Sequence, residues 1–174
     1  MIKSSLNLLR TLFGSKTRAS ATTGGVAAMA MTVSLIGGFE GNSLKAYYDV
    51  VSVPTICQGL TKGVKIGDIA TQEECDERFA AELQVFEKGL MKCVAPWNEL
   101  PVKTRMAMLS WAYNIGVGGA CGSTAVKRFN AGDPLNGCVA MTWWNKGRVN
   151  GQLRVIKGLE NRRLKEYGIC VEDL

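Results

Sequence analysis

Phe79, Leu83, Phe86 and Leu90 recur at intervals of three and four residues, the period of one helix face, and predict a helix over 71–92. Thr71 with Glu74 three positions later supplies a capping box at its start. A second helix is expected over 99–115 with Pro101 in its first turn. Residues 116–122 (GVGGACG) read as a glycine-rich loop. A short helix over 123–131 is capped by Ser123 or Thr124 and ended by Gly132-Asp133-Pro134. Another follows over 137–145, and a basic helix over 157–167. Residues 44–62 differ in texture, being short, β-branched and aromatic with Pro54 and Gly59 as punctuation, and predict an antiparallel hairpin. The fold class is therefore α+β, mostly helical with one small antiparallel sheet near the start.

The N-terminal pattern is of another kind. Ile2, Leu6, Leu9, Leu12 and Phe13 fall near helical spacing with Lys3 and Arg10 off the stripe, so residues 2–13 can lie on a membrane surface or dock on a partner. Residues 19–39 form a run of 21 without a charge, long enough to cross a bilayer as a helix and preceded by basic residues. Four glycines and several Ser and Thr make that span weakly apolar, so a helix here would gain little from lipid and could leave it. Two other readings stand beside it. Ala28-Met29-Ala30 offers a small-x-small cleavage pattern, and an ordinary N-terminal helix would pack Val33, Ile36 and Phe39 into the core. The expected organisation is a basic arm with a weakly hydrophobic segment over 1–39, followed by a domain over 40–174.

Length and composition narrow the class. The chain has 174 residues, 47% hydrophobic and 21% charged, which fits one compact domain with a short appendage and excludes a disordered or collagen-like chain. Histidine is absent, which removes Ser-His-Asp and Cys-His catalysis and His-ligated zinc; acid–base work falls to carboxylates, Lys, Tyr or Cys. Residues 1–39 hold Lys3, Arg10, Lys16 and Arg18 with no acid, whereas the remainder carries 17 bases against all 15 acids. A net +2 body without a recognised binding motif argues against a nucleic-acid module and suits either an anionic polymer such as a bacterial wall or a plain solvated surface. A single marginal span argues against a pore-forming protein. Six cysteines, Cys57, Cys75, Cys93, Cys121, Cys138 and Cys170, permit 15 pairings if export places them in an oxidising compartment. With no CxxC pair and no His, a zinc site is not expected.

One constellation carries chemistry. Eight residues separate Glu40 from Asp49 and five separate Asp49 from Thr55. Glu40 follows an apolar helix end, where desolvation would keep a carboxyl protonated as a general acid. Asp49 lies in the hairpin among polar backbone, where it can stay ionised, and Thr55 offers a hydroxyl to hold a water. Two carboxyls in unlike environments are what glycosidic cleavage requires, although such spacings also arise from a helix end and turn residues.

The stretch 38–63, GFEGNSLKAYYDVVSVPTICQGLTKG, resembles the catalytic region of the phage-type lysozymes, muramidase endolysins with a Glu–eight–Asp–five–Thr triad. Glu40, Asp49 and Thr55 fall on that triad without a gap. Tyr113-Asn114-Ile115-Gly116 resembles the family's Tyr-Asn-x-Gly motif, and Phe129-Asn130-Ala131-Gly132-Asp133 and the Trp, Gly-Leu and Arg-Arg pattern over 143–167 follow in order. The N-terminus resembles the signal-anchor-release segments of some of these endolysins. Where the family often has Trp-Thr-x-Gly-x-Gly-His-Thr, this chain has Pro54, Cys57 and Leu60 for the Trp, first Gly and His, which leaves substrate contacts near the cleft open.

The resemblance implies a lysozyme-like fold and hydrolysis of peptidoglycan between N-acetylmuramic acid and N-acetylglucosamine. It implies Glu40 as general acid, Asp49 as the charge-stabilising and water-activating group, and Thr55 as the group that positions the water. Tyr113 and Asn114 are candidate wall contacts, or else a core Tyr and a helix-end Asn. Inversion is expected, with carboxyls roughly 6.5–9.5 Å apart, and neither metal nor organic cofactor is required. The implied partner is bacterial peptidoglycan, with the inner membrane engaged through residues 19–39 and export to the host periplasm. A virion-associated enzyme docked by its arm on a phage structural protein, and an inactive lysozyme-like scaffold, are the alternatives.

Overall fold

The structure, a computed structural model, describes residues 43–49 and 51–174. Glu40 and the segment 1–39 lie outside the described residues, as do the expectations attached to them. Among the described residues, 43–82 and 83–174 form two compact units.

In the first unit, strand β1 (Ser43–Tyr48) pairs antiparallel with β2 (Pro54–Cys57), Tyr47 opposite Thr55 and Tyr48 opposite Pro54. Pro54 opens its strand, where a missing N–H is tolerated. The other edge of β1 is covered by residues 68–70: Ala46 N–H donates to the Asp68 carbonyl at 2.9 Å and Ala70 N–H to that of Leu44 at 2.9 Å. The predicted hairpin is present. So is helix α1 (Gln72–Met91), which continues into the second unit and starts with the expected capping box. Glu74 N–H donates to Thr71 Oγ1 at 3.1 Å, and Thr71 N–H donates back to Glu74 Oε2 at 2.7 Å. Ile56, Leu60, Cys75 and Phe79 form this unit's core.

The second unit is built around α2 (Val102–Ile115). Nine consecutive residues, Thr104 to Ala112, are buried, so the helix is covered on every side rather than along one stripe. Trp111, Met108 and Leu109 fill the centre together with Leu83, Leu90, Phe129 and Met141. Gly116 (φ 81°) ends α2. The expected glycine-rich loop then proves to be a one-turn helix, α3 (Val117–Cys121). Tertiary contacts outweigh poor glycine propensity here: Ala120 is buried, Gly119 lies against the Trp144 ring, and Cys121 is bonded to Cys93.

Helix α4 (Thr124–Asn130) is capped by Ser123, whose Oγ accepts from Val126 N–H at 3.1 Å. Helix α5 (Pro134–Met141) starts three residues earlier than the sequence pattern suggested. Asp133 is its N-cap and Pro134 its first residue, so a tripeptide that reads as a terminator is also an initiator. Its early end leaves room for a second hairpin that the single-sheet expectation lacked. Strands β3 (Lys146–Val149) and β4 (Gln152–Val155) pair antiparallel across Asn150 (φ 50°) and Gly151 (φ 79°). Helix α6 (Lys157–Val171) closes the chain and runs four residues past its expected end.

All six cysteines pair, as Cys57–Cys75, Cys93–Cys121 and Cys138–Cys170, with Cα separations of 5.3, 5.6 and 5.9 Å. The connectivity is sequential, with no bridge spanning another. Each bridge joins elements within one unit: β2 to α1, the residues after α1 to α3, and α5 to α6.

Candidate active site

The β1–β2 turn is held by a single carboxylate. Asp49 Oδ1 accepts from Val51 N–H at 2.9 Å and from Val53 N–H at 2.8 Å. Its backbone closes the same turn: Asp49 N–H donates to the Val53 carbonyl at 3.0 Å, and Ser52 N–H donates to the Asp49 carbonyl at 3.0 Å. This is the chemistry that favours Asp in turns, a short side chain replacing main-chain partners. Ser52 sits at φ 62°, and Val51 and Tyr48 are exposed around it.

Thr55 is 3% exposed, and its hydroxyl donates to the Val53 carbonyl at 3.0 Å. Val53 is therefore a hub. Its N–H is bound to the Asp49 side chain, and its carbonyl accepts from both Asp49 N–H and the Thr55 hydroxyl. The two sequence-predicted residues on the hairpin are thus locked to the same peptide group. Two consequences are chemical. The Thr55 hydrogen is committed, so what its oxygen has left to offer is lone pairs. Both turn bonds to the Asp49 side chain fall on Oδ1, so Oδ2 takes no part in them.

Beyond Thr55, the main chains of Ile56 and Leu60 exchange two bonds of 2.9 Å around Cys57-Gln58-Gly59. Cys57 has φ 58° and Gly59 φ 90°. The left-handed conformation explains why a glycine suits the Cys57 position in the motif described above. A Cβ there costs roughly 1–2 kcal/mol, and here it carries the sulfur that ties β2 to α1 through Cys75.

Tyr113 and Asn114 end α2. The Tyr113 ring is half-buried and lies 5.2 Å from that of Phe86 on α1. Asn114 is exposed, and its Oδ1 accepts from Arg163 Nη2 at 2.7 Å. That bond fixes the amide so that Nδ2 is the atom left to donate outward.

Behind Asn114 lies a charged group that the sequence reading missed. Arg163 is 1% exposed and Glu166 0%. Glu166 accepts at Oε1 from Ser110 Oγ at 2.8 Å and Arg162 Nε at 3.1 Å, and its Oε2 lies 3.2 Å from Arg163 Nη1. Burial pushes the Glu166 carboxyl above the ordinary carboxylate range, against the pull of Arg163, Ser110 and Arg162. The basic helix expected over 157–167 turns two of its arginines inward. The available signal was the i,i+4 spacing of Arg162 and Glu166.

Among the described residues, no group of three or more His, Cys, Asp or Glu side chains could hold a metal, and no helix is long and apolar enough to cross a membrane.

Comparison with known proteins adds an independent line. The family model described as phage lysozyme matches residues 37–166. The chain is 43% identical over 148 residues to the SAR-endolysin of Pseudomonas phage phiKMV, covering 84% of this chain and 89% of that protein. It is 32% identical over 162 residues to the SAR-endolysin of Enterobacteria phage P21, covering 90% and 94%. Among solved structures, the endolysin from Escherichia coli O157:H7 phage FAHEc1 matches with a TM-score of 0.75 and 31% identity, over 93% of this chain and 98% of that one. The active form of P1 phage endolysin Lyz matches in fold with a TM-score of 0.74 at 22% identity, over 100% and 97%.

Proposed function

The chain belongs to the phage lysozyme family, a glycoside hydrolase of peptidoglycan that serves lysis, and from that premise we propose how its own residues carry the reaction. The bond cleaved is the glycosidic link between N-acetylmuramic acid and N-acetylglucosamine. Glu40 protonates the leaving oxygen. Asp49 stabilises the developing positive charge and draws a proton from the attacking water, which Thr55 positions. The product forms with inversion.

The observation that carries this reading is the Asp49–Val53–Thr55 unit. An attacking water must direct a lone pair at the anomeric carbon, so both of its hydrogens need acceptors. Thr55 Oγ1, its own hydrogen bound to the Val53 carbonyl at 3.0 Å, meets that water as an acceptor. Asp49 Oδ2, outside the turn's bonds, is the second. A Thr with a free hydroxyl hydrogen could instead donate to the water and blunt the lone pair. In the second unit, with Oδ1 held by Arg163, Asn114 Nδ2 donates to a carbonyl such as that of an acetamido group. Tyr113 offers its ring face beside it.

The decisive measurement is turbidity loss of outer-membrane-stripped bacteria with wild type beside Glu40→Gln. Loss of activity by about 10²–10⁴-fold is expected for removal of a general acid. Equal clearing by the two proteins would leave Glu40 without the role, and no clearing by wild type would make the chain an inactive scaffold.

The same reading covers delivery. Residues 19–39 carry the protein to the host periplasm, tether it first to the inner membrane, and end one residue before the general acid. While they stay in lipid, Glu40 is pinned at the membrane surface; on release residues 26–39 refold as the first helix of the domain and bring it into register. The similarity to proteins named SAR-endolysins supports this order of events. Full wall-cleaving activity in the membrane fraction of exporting cells would overturn it.

A further inference from the structure

The β3–β4 hairpin is exposed on both faces, every residue of it but the half-buried Gly147. A two-stranded ribbon covered only where Ile156 lies over Gly147 is marginal in water, so its composition is informative. The register places Lys146 opposite Val155 and Arg148 opposite Leu153. Alternation along a strand puts these four side chains on one face, two cations on β3 beside two aliphatics on β4. Leu153 is 65% exposed, and Trp143, shortly before the hairpin, is 60% exposed.

No acid occurs between Asp133 and Glu160, a stretch that holds Lys146, Arg148, Arg154 and Lys157. Lys157 is paired with Glu160 at 2.9 Å. Arg148 donates to the Gly151 carbonyl at 3.2 Å and Arg154 to Gln152 Oε1 at 2.7 Å, neutral partners, so that among the described residues neither charge is paired with a carboxylate.

We propose that this hairpin face docks on an anionic phospholipid surface. The charge is complementary, and the exposed side chains near the cations are what a lipid interface takes up: Leu153 and Val155 to enter the acyl boundary and Trp143 at headgroup depth. A glycan strand could meet the cations and the Trp as well, but the exposed Leu153 and Val155 gain nothing against a polar polymer and do gain from an acyl boundary. Docking would hold the protein near the membrane independently of residues 1–39. It does not depend on the reaction proposed above.

The test uses the full chain with vesicles of phosphatidylcholine alone and of phosphatidylcholine mixed with phosphatidylglycerol. Residues 19–39 are identical in every variant and set a common background. At about 1 kcal/mol per surface cation, Lys146→Gln with Arg148→Gln should weaken partition onto the anionic vesicles about thirtyfold and leave partition onto neutral ones unchanged. Brominated acyl chains should quench wild-type tryptophan emission, and Trp143→Phe should remove most of that quenching. Unchanged partition of the double variant onto anionic vesicles overturns the proposal. So does a double variant that keeps its vesicle partition but no longer sediments with insoluble peptidoglycan, which would assign the face to the wall.

Discussion

Among the described residues, two short antiparallel hairpins are built on opposite plans. In β1–β2 the turn is closed by a side chain, Asp49, and the second strand buries Thr55, Ile56 and Cys57 and is bonded to α1 through Cys75. In β3–β4 the turn is set by backbone conformation, Asn150 and Gly151 both at positive φ, with one exposed Arg148 bond to the Gly151 carbonyl, and the second strand is exposed throughout. The first hairpin spends a carboxylate and a left-handed Cys57 on its local geometry, features that a hairpin needs only if something depends on where its side chains sit. The second follows the favoured Asn-Gly pattern and holds nothing in place. Irregular turn chemistry therefore marks the hairpin that carries the proposed reaction, and regular turn chemistry the one left free to meet a partner.

The largest expected effect separates Asp49's two duties. Asp49→Asn keeps an Oδ1 acceptor for Val51 and Val53 but removes the charge. Wall-clearing activity should fall by about 10²–10³-fold, with the thermal midpoint close to wild type. Asp49→Ala should lose as much activity and also about 0.5–1.5 kcal/mol of stability, the net worth of a hydrogen bond whose exposed N–H water can take over, read by denaturant unfolding. Equal stability of the Asn and Ala variants would mean that the carboxylate does not hold the turn, and the contrast between the hairpins would fail.

Next in size is the Cys57 bridge. Removing a link that closes 18 residues should cost about 3 kcal/mol. The replacement at Cys57 sharpens the test. Cys57→Gly with Cys75→Ser should be more stable than Cys57→Ser with Cys75→Ser by about 1 kcal/mol, because only the serine keeps a Cβ in the left-handed region. Equal unfolding midpoints for the two would show that the φ of 58° is not costly there.

How much was legible in the sequence follows from the same contrast. Local signals reported faithfully: the Thr71–Glu74 box starts α1, Ser123 caps α4, and Pro54 opens β2 with Gly59 just past its end. The pairing of Asp49 with Thr55 was legible only as a spacing, because the Val53 carbonyl that joins them is backbone and leaves no trace in residue type. The inward turn of Arg162 and Arg163 was hidden because arginine reads as surface; burial of their charges depends on Glu166 and Ser110, and Ser110 lies more than fifty residues from either arginine. Helix α3 was unreadable because its glycines are tolerated only through the Cys93 bridge and the Trp144 ring. The second hairpin is different. Its Asn150-Gly151 signature was present, but the expected helix over 137–145 took in Trp143 and Trp144 and ran up to the strand start.

The smallest effect tests whether that second turn is as self-sufficient as its sequence suggests. Gly151 sits at φ 79° with open space around a Cβ, so Gly151→Ala meets no neighbour and any penalty is conformational. The cost should be about 1 kcal/mol, localised to the hairpin, with amide exchange of β3 and β4 accelerated and that of α2 unchanged. Global unfolding should barely move, since β4 buries none of its residues. A fall in global stability of the size expected for the Cys57 bridge would show that the hairpin is packed into the second unit after all, and that its exposed cation–aliphatic face is a structural element rather than a surface awaiting lipid.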